Sequence, residues 1–215
     1  MSDTIEVLWE SEQAIAINKP AGIATQSPAQ FESVESRLRQ QLGREEHYLA
    51  FPHRLDRWVS GVLLVALTKR AARLLSGQFE TRKTTKRYLA MVEGLLDGEH
   101  RWEDSLRKIA GQPQVQVDTD HPDAKTTLTL VRSLRTFPDA DRSLLELSPV
   151  TGRMHQLRVQ AGSRGNPIVG DTLYGAMETE TARILLHASQ LEFHHPINGK
   201  RTLVEAECPF TFSEG

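Results

Sequence analysis

Apolar and polar positions alternate at the start of the chain. "IEVLWE" (residues 5–10) and "AIAINKP" (14–20) carry β-branched side chains at period two, which predicts two short strands, the second stopped by Pro20. "FESVESRLRQQL" (31–42) changes period: Val34, Leu38 and Leu42 recur at helical spacing. "GVLLVAL" (61–67) is apolar throughout and reads as a buried strand. Thr68 then caps a helix whose Ala71, Leu74, Leu75 and Phe79 form one face. "KRYLAMVEG" (86–94) returns to period two as a strand.

Residues 94–124 are polar and read as short strands and loops linking two halves. "TTLTLVRSL" and "RSLLELSPV" predict an antiparallel pair around the turn signal "FPDAD". "GRMHQLRVQAG" (152–162) predicts a compact helix with Met154, Leu157 and Ala161 on one side. Loops, a short helical turn and closing strands are expected over "NPIVGDTLYG", "ARILLHASQLEFHHP" and "KRTLVEAECP". The sum is an α+β chain, strand-dominated and mostly antiparallel.

Composition narrows the class. With 215 residues and 39% hydrophobic content, the chain can bury a core without disulfides, as a single domain, 1–215, in one or two lobes. There are 26 basic and 28 acidic residues, a net charge of −2, so a strongly basic nucleic-acid arm is absent while a local basic surface stays possible. One cysteine, Cys208, fits a reducing compartment. The N-terminal dozen residues lack a signal-peptide pattern, and the longest apolar run falls far short of the roughly 20 residues of a membrane span. A soluble, cytoplasmic protein with no membrane contact is expected.

The candidate chemistry begins at "FPHRLDRWVSG", where Asp56 stands among His53, Arg54 and Arg57 just before a buried strand. Guanidinium neighbours favour an ionised carboxylate, suited to a nucleophile or an electrostatic stabiliser. From the local residues alone, a salt bridge that fixes the turn explains it equally well. In "TGRMHQLR", Arg153 stands just inside the predicted helix, a setting that favours anions, and Arg158 could point inward to a carboxylate, although by themselves these residues fit two solvated helix arginines better. "TRKTTKRY" gathers Arg82, Lys83, Lys86 and Arg87 before Tyr88, which suits a phosphate backbone with a stacked base and equally an exposed helix-to-strand connection. In "NKPAG", Pro20 and Gly22 shape a turn that would present Lys19. The eight histidines show no zinc spacing, and His194 and His195 on a strand point to opposite faces, so no metal is predicted. "HRLD" lacks the glycine-rich loop and Asp-Phe-Gly of a kinase, and there is no P-loop or dinucleotide fingerprint.

In order, "NKPAG", "HRLDRWVSGVLLVAL", "QFETRKTTKRYLAMVEG", "VTGRMHQLRV", "NPIVGDTLYG" and "LLHASQLEFHHP" resemble the RluA family of RNA pseudouridine synthases, over about residues 5–209. The resemblance implies a mixed, mainly antiparallel sheet bent around a central active-site cleft with flanking helices, in two half-lobes. It places Asp56 as the catalytic aspartate, Tyr88 against the target base as the group that moves the C5 proton, and Arg158 as the partner of Asp56. Arg54 matches an arginine facing the RNA, and His53, Arg57, Lys86, Arg87, Arg153 and Lys19 complete the expected substrate contacts. Val59 stands where the family usually has Thr, and Gln160 where many members have His. The S4 domain of many relatives is not expected.

The implied reaction detaches uracil, rotates it and rejoins it through carbon, with no cofactor and no metal. Asp56 would either attack or stabilise charge at the sugar. The implied partner is a stem-loop of ribosomal or transfer RNA, met by a monomer. Two other readings stand beside this one: an RNA-binding module of the same fold without catalysis, and a hydrolase that releases free uracil.

Overall fold

The computed structural model describes residues 4–28, 30–43, 48–179 and 183–210. Among them, the first part of the chain forms β1 (Val7–Glu10), β2 (Ala14–Lys19), α1 (Val34–Gln41), β3 (Ser60–Ala66), α2 (Lys69–Glu80) and β4 (Thr85–Glu93). The remainder forms β5 (Glu99–Lys108), β6 (Val115–Val117), β7 (Lys125–Phe137), β8 (Arg142–Pro149), α3 (Gln156–Gly162), β9 (Leu186–His194) and β10 (Arg201–Glu205). Three-residue 3-10 turns occupy Pro138–Ala140 and Thr172–Tyr174. The chain divides into two compact units, 1–86 with 187–208, and 87–186 with the end of the chain.

In the first unit the strands run β1-β2-β3-β9-β10. All these neighbours are antiparallel except β3 and β9, which pair in parallel at Ser60–His187 and Gly61–Ala188. Every residue of β3 is buried, which accounts for its unbroken apolar run. Val62, Leu64 and Ala66 pack with Ala71 and Leu75 of α2 and with Leu191, Phe193 and Val204. α2 begins where its sequence says: the Thr68 hydroxyl accepts the Ala71 N–H at 3.2 Å. α1 begins at Val34, the first of its apolar positions and three residues into the stretch 31–42. There Ser33 and Ser36 exchange side-chain and backbone hydrogen bonds in a capping box, and the helix buries Val34 and Leu38.

The second unit orders its strands β4-β8-β7-β5-β6, antiparallel throughout. The hairpin β7–β8 matches the expected pair, its connection a 3-10 turn closed by Asp141 at φ 46°. The polar stretch 94–124 departs from expectation. It holds a ten-residue strand, β5, paired with β7 from Glu99–Arg132 to Leu106–Lys125. Only Trp102 and Leu106 are buried along it, so its charged outer positions hide the alternation. The short helical turn and closing strands expected after residue 166 are present; Ala182, at the head of one of those stretches, lies outside the described residues.

The parallel contact of β3 with β9 requires glycine. A Cβ on Gly61 would lie 2.2 Å from the Ala188 carbonyl oxygen, and its φ is +112°. Gly61→Ala is expected to destabilise the protein by about 3 kcal/mol in urea denaturation, combining backbone strain with a steric clash. Gly77→Ala, in α2 with nothing within 4 Å of the added carbon, should stabilise it slightly.

Candidate active site

The turn that carries Asp56 is held from below. Its Leu55 carbonyl accepts from the Thr25 hydroxyl at 3.0 Å, and its Arg57 carbonyl accepts from Gly22 N–H at 2.8 Å. Lys19 reaches the same turn: its Nζ donates to the carbonyls of Pro20 at 2.9 Å, Arg57 at 3.1 Å and Val59 at 2.8 Å. Leu55 and Val59 point into the core, and Val59 N–H closes the turn onto the Asp56 carbonyl at 3.1 Å. Residues 56–59 thus form a tight turn with Arg57 and Trp58 at its tip. Asp56 itself is half-buried, while Arg54, Arg57 and Trp58 are exposed.

Two expectations change here. Lys19 is not presented to solvent; it is fully buried, because three backbone oxygens match the three N–H donors of its ammonium. Burial pushes its pKa down to about 7, and the charge of Asp56 pulls it back up. His53, expected among the substrate contacts, is engaged with the protein's own groups. It stacks on Phe79 at 4.4 Å and accepts the Leu64 N–H on Nε2 at 3.0 Å, which fixes a neutral ring. Burial, with the nearby Lys86 charge, lowers its pKa to about 3. Arg57 is turned toward the 20–22 loop, donating from Nε to the Gly22 carbonyl at 2.8 Å. Lys86, whose charge reaches His53, is half-buried; burial and then Arg82 lower its pKa to about 8.

The second unit holds Arg87, Tyr88, Arg153 and Arg158. Tyr88 is half-buried on β4 opposite Leu147 of β8. Arg87 is exposed, with Glu146 at 3.7 Å. Arg153 is also exposed, but it does not lie inside a helix: α3 starts at Gln156, after His155 at φ 52°. The Gln156 side chain causes the delay by accepting from both the Arg153 N–H and the Thr151 hydroxyl, at 3.1 and 2.8 Å. The dipole argument for an anion at Arg153 therefore falls away.

Arg158 faces inward from α3 and is buried. Its Nε and Nη2 form a bidentate pair with the carboxylate of Asp171, at 2.7 and 2.8 Å, and its guanidinium carbon lies 5.1 Å from the centre of the Tyr174 ring. Asp171 and Tyr174 bracket one 3-10 turn, and Tyr174 is fixed in turn by His155 Nδ1 at 2.8 Å and Val115 N–H at 3.0 Å. A Cβ on Gly162 would stand 2.4 Å from the Tyr174 carbonyl, so glycine lets this turn lie directly on α3. Asp171 was missed in the sequence; its signal was a single acid inside the apolar stretch "NPIVGDTLYG".

Both departures from the family pattern have structural partners. Gln160 is fully buried and bonds to Thr129 Oγ1 at 2.6 Å, Asp104 Oδ2 at 2.8 Å and the Trp102 carbonyl at 3.1 Å. Val59 gives its side chain to the core and its backbone to Lys19 and Asp56. The buried Ser60–His187 contact at 2.9 Å has the outline of a nucleophile and base. His187 Nε2 also faces the Ala206 carbonyl at 3.2 Å, so its N–H is committed there, and both residues are buried. This is a structural bond between strands. Among the described residues no His, Cys, Asp and Glu cluster suited to a metal ion occurs, and no helix is long and apolar enough to cross a membrane.

A family model described as RNA pseudouridylate synthase matches residues 13–163. A protein of Pasteurella multocida (strain Pm70) named tRNA pseudouridine synthase C is 38% identical, with 94% of this chain and 90% of that protein covered. A second Pasteurella multocida protein, named dual-specificity RNA pseudouridine synthase RluA, is 34% identical over 90% of this chain and 88% of its own length. Among solved structures, human RNA pseudouridylate synthase domain containing 1 matches with a TM-score of 0.84 at 26% identity, covering 97% of this chain and 85% of that one.

Two outcomes follow from the buried groups. The folded His53 pKa of about 3 lies below the ordinary 6.5, so only the unfolded chain takes up a proton between them. The stability from its neutral ring is full above pH 6.5 and is lost as the pH falls toward 3. His53→Gln should flatten the urea-derived stability slope between these limits by up to ~1.4 kcal/mol per pH unit. Separately, Asp171→Ala removes the bidentate partner of a buried guanidinium and should cost about 3–5 kcal/mol in thermal denaturation. Adding Arg158→Met should recover much of that loss; no recovery would show that the pair is not the source.

Proposed function

The chain belongs to the RNA pseudouridylate synthase family and is an isomerase acting on RNA; we propose that it rebuilds a uridine in a stem-loop of transfer or ribosomal RNA, with Asp56 at the reacting sugar or base. The observation that carries this reading is the Asp56 turn. A half-buried carboxylate stands on a turn whose carbonyls are held by Lys19, Thr25 and Gly22, next to exposed Arg54 and Arg57. Such holding fixes the carboxylate before substrate arrives, which is what attack or charge stabilisation demands. The relative named tRNA pseudouridine synthase C, and a Rickettsia conorii protein 33% identical and named ribosomal large subunit pseudouridine synthase C, support the choice of RNA classes.

The reaction breaks the N1–C1′ bond, turns the base and forms C5–C1′; C5 loses its proton and N1 gains one, so the sum is an isomerisation. The target base leaves its stack first, which costs least in a loop or bulge. Asp56 attacks or stabilises the developing charge. Tyr88 lies against the base and moves the C5 proton. The grip of Asp171 on the Nε–Nη2 edge of Arg158 keeps that guanidinium from turning. Arg54, Lys86, Arg87 and Arg153 contact phosphates, whereas Lys19 and His53 act inside the protein. The enzyme works as a cytoplasmic monomer.

Asp56→Asn is expected to reduce tritium release from 5-tritiated uridine in RNA to background while filter binding of that RNA changes little. Turnover by the variant would overturn the assignment of Asp56. If the wild type binds RNA but releases no tritium, the chain is a binding module; if it releases free uracil on chromatography, it is a hydrolase.

A further inference from the structure

The turn 56–59 carries one feature that the reaction does not use. Trp58 is 41% exposed although tryptophan is among the side chains with most to gain from burial. It is nevertheless held. The Arg57 guanidinium carbon lies 5.0 Å from the centre of its ring, and Arg57 is itself fastened by Nε to the Gly22 carbonyl at 2.8 Å. Gly22 returns a hydrogen bond from its N–H to the Arg57 carbonyl, also at 2.8 Å, and Trp58 Cζ3 passes 3.8 Å from where a Cβ on Gly22 would stand. The indole is therefore oriented in advance, two residues from Asp56, with a cation against it and part of its surface open to solvent.

That combination fits one kind of ligand. A rigid indole offers a π-face that any base can stack on, and the adjacent guanidinium offers charge to a phosphate of the same strand. A simple salt-bridging turn needs no aromatic residue, and a core-filling tryptophan would be covered. When a uridine swings out of its stack toward Asp56, its neighbour loses a stacking partner; an indole at this distance along the turn replaces it. We propose that Trp58, backed by Arg57, is a stacking platform for the base immediately flanking the target uridine, and so a determinant of which RNA sequence context the enzyme accepts. This rests on the reading that Asp56 acts at the target uridine.

The test uses short RNA hairpins carrying the uridine that the wild-type enzyme modifies, with 2-aminopurine or an abasic nucleotide at each flanking position in turn. Binding is measured with Asp56→Asn protein, so that no turnover intrudes. At one flanking position, 2-aminopurine fluorescence should be quenched on binding, and Trp58→Ala in the Asp56→Asn background should abolish the quench. The abasic change there should weaken binding about tenfold for Trp58 protein and hardly at all for Trp58→Ala, whereas Trp58→Phe keeps most of the difference. Equal quenching with and without Trp58, or an abasic penalty unchanged by Trp58→Ala, overturns the platform. Wild-type tritium release is scored separately: its absence defeats the catalytic reading, whatever the 2-aminopurine signal shows.

Discussion

A buried ammonium organises the first unit. Lys19 sits at the end of β2 with no exposed surface, and its three donors meet the carbonyls of Pro20, Arg57 and Val59. Burying a lone charge is costly, and burial brings this lysine's pKa down to about 7 even with the Asp56 charge pulling it up. Three short hydrogen bonds and the charge of Asp56 offset that cost, so the ammonium and the turn depend on each other. Everything on the turn inherits its position from this clamp: Asp56 half-buried, Leu55 and Val59 anchored inward, Arg57 and Trp58 at the tip. A hydrophobic residue at 19 would pack, but it would leave the oxygens of Arg57 and Val59 short of a donor.

The second unit solves a related problem differently. α3 is only seven residues long and buried on every side but its end, yet three of its residues are polar. Each polar group has a local partner: Gln156 with Thr151 and Thr129, Arg158 with Asp171, Gln160 with Thr129 and Asp104. Such a short helix gains little from its own backbone, so its orientation comes from these side-chain bonds and from Val159 against Leu106 and Val115. In both units the polar groups are buried where a direction must be fixed, because apolar packing alone tolerates sliding.

What could be read from the sequence divides along the same line. α2, β3 and the β7–β8 hairpin were plain, because a cap, an unbroken apolar run and a Pro-Asp turn are local signals. β5 was hidden since only Trp102 and Leu106 are buried along it, and charges fill the positions between them. α3 is shorter than its apolar spacing predicts, because Met154 continues that spacing while Gln156 holds the preceding backbone in another conformation. At the site, charge identified Asp56 and helical spacing turned Arg158 inward. Neither could show that His53 lies under Phe79, that Lys19 points into the protein, or that Asp171 waits thirteen residues beyond Arg158. Those facts belong to contacts between segments distant in the chain, which no short window contains.

A net charge of −2 also limits how this protein meets RNA. Long-range attraction from the whole molecule is weak, so affinity depends on where cations are crowded. Crowding is visible at the start of β4, where Arg82 and burial together hold the pKa of Lys86 at about 8. Such a group is under electrostatic strain in the unbound protein, since a like charge stands near it and little water remains to solvate it. A phosphate at that point would relieve both effects, so the interaction gains more there than at a fully solvated lysine. Repulsion accepted in the free protein thus favours a polyanion lying across one small region over diffuse contact elsewhere. An almost neutral chain can in this way attract RNA by local crowding of charge rather than by its net charge.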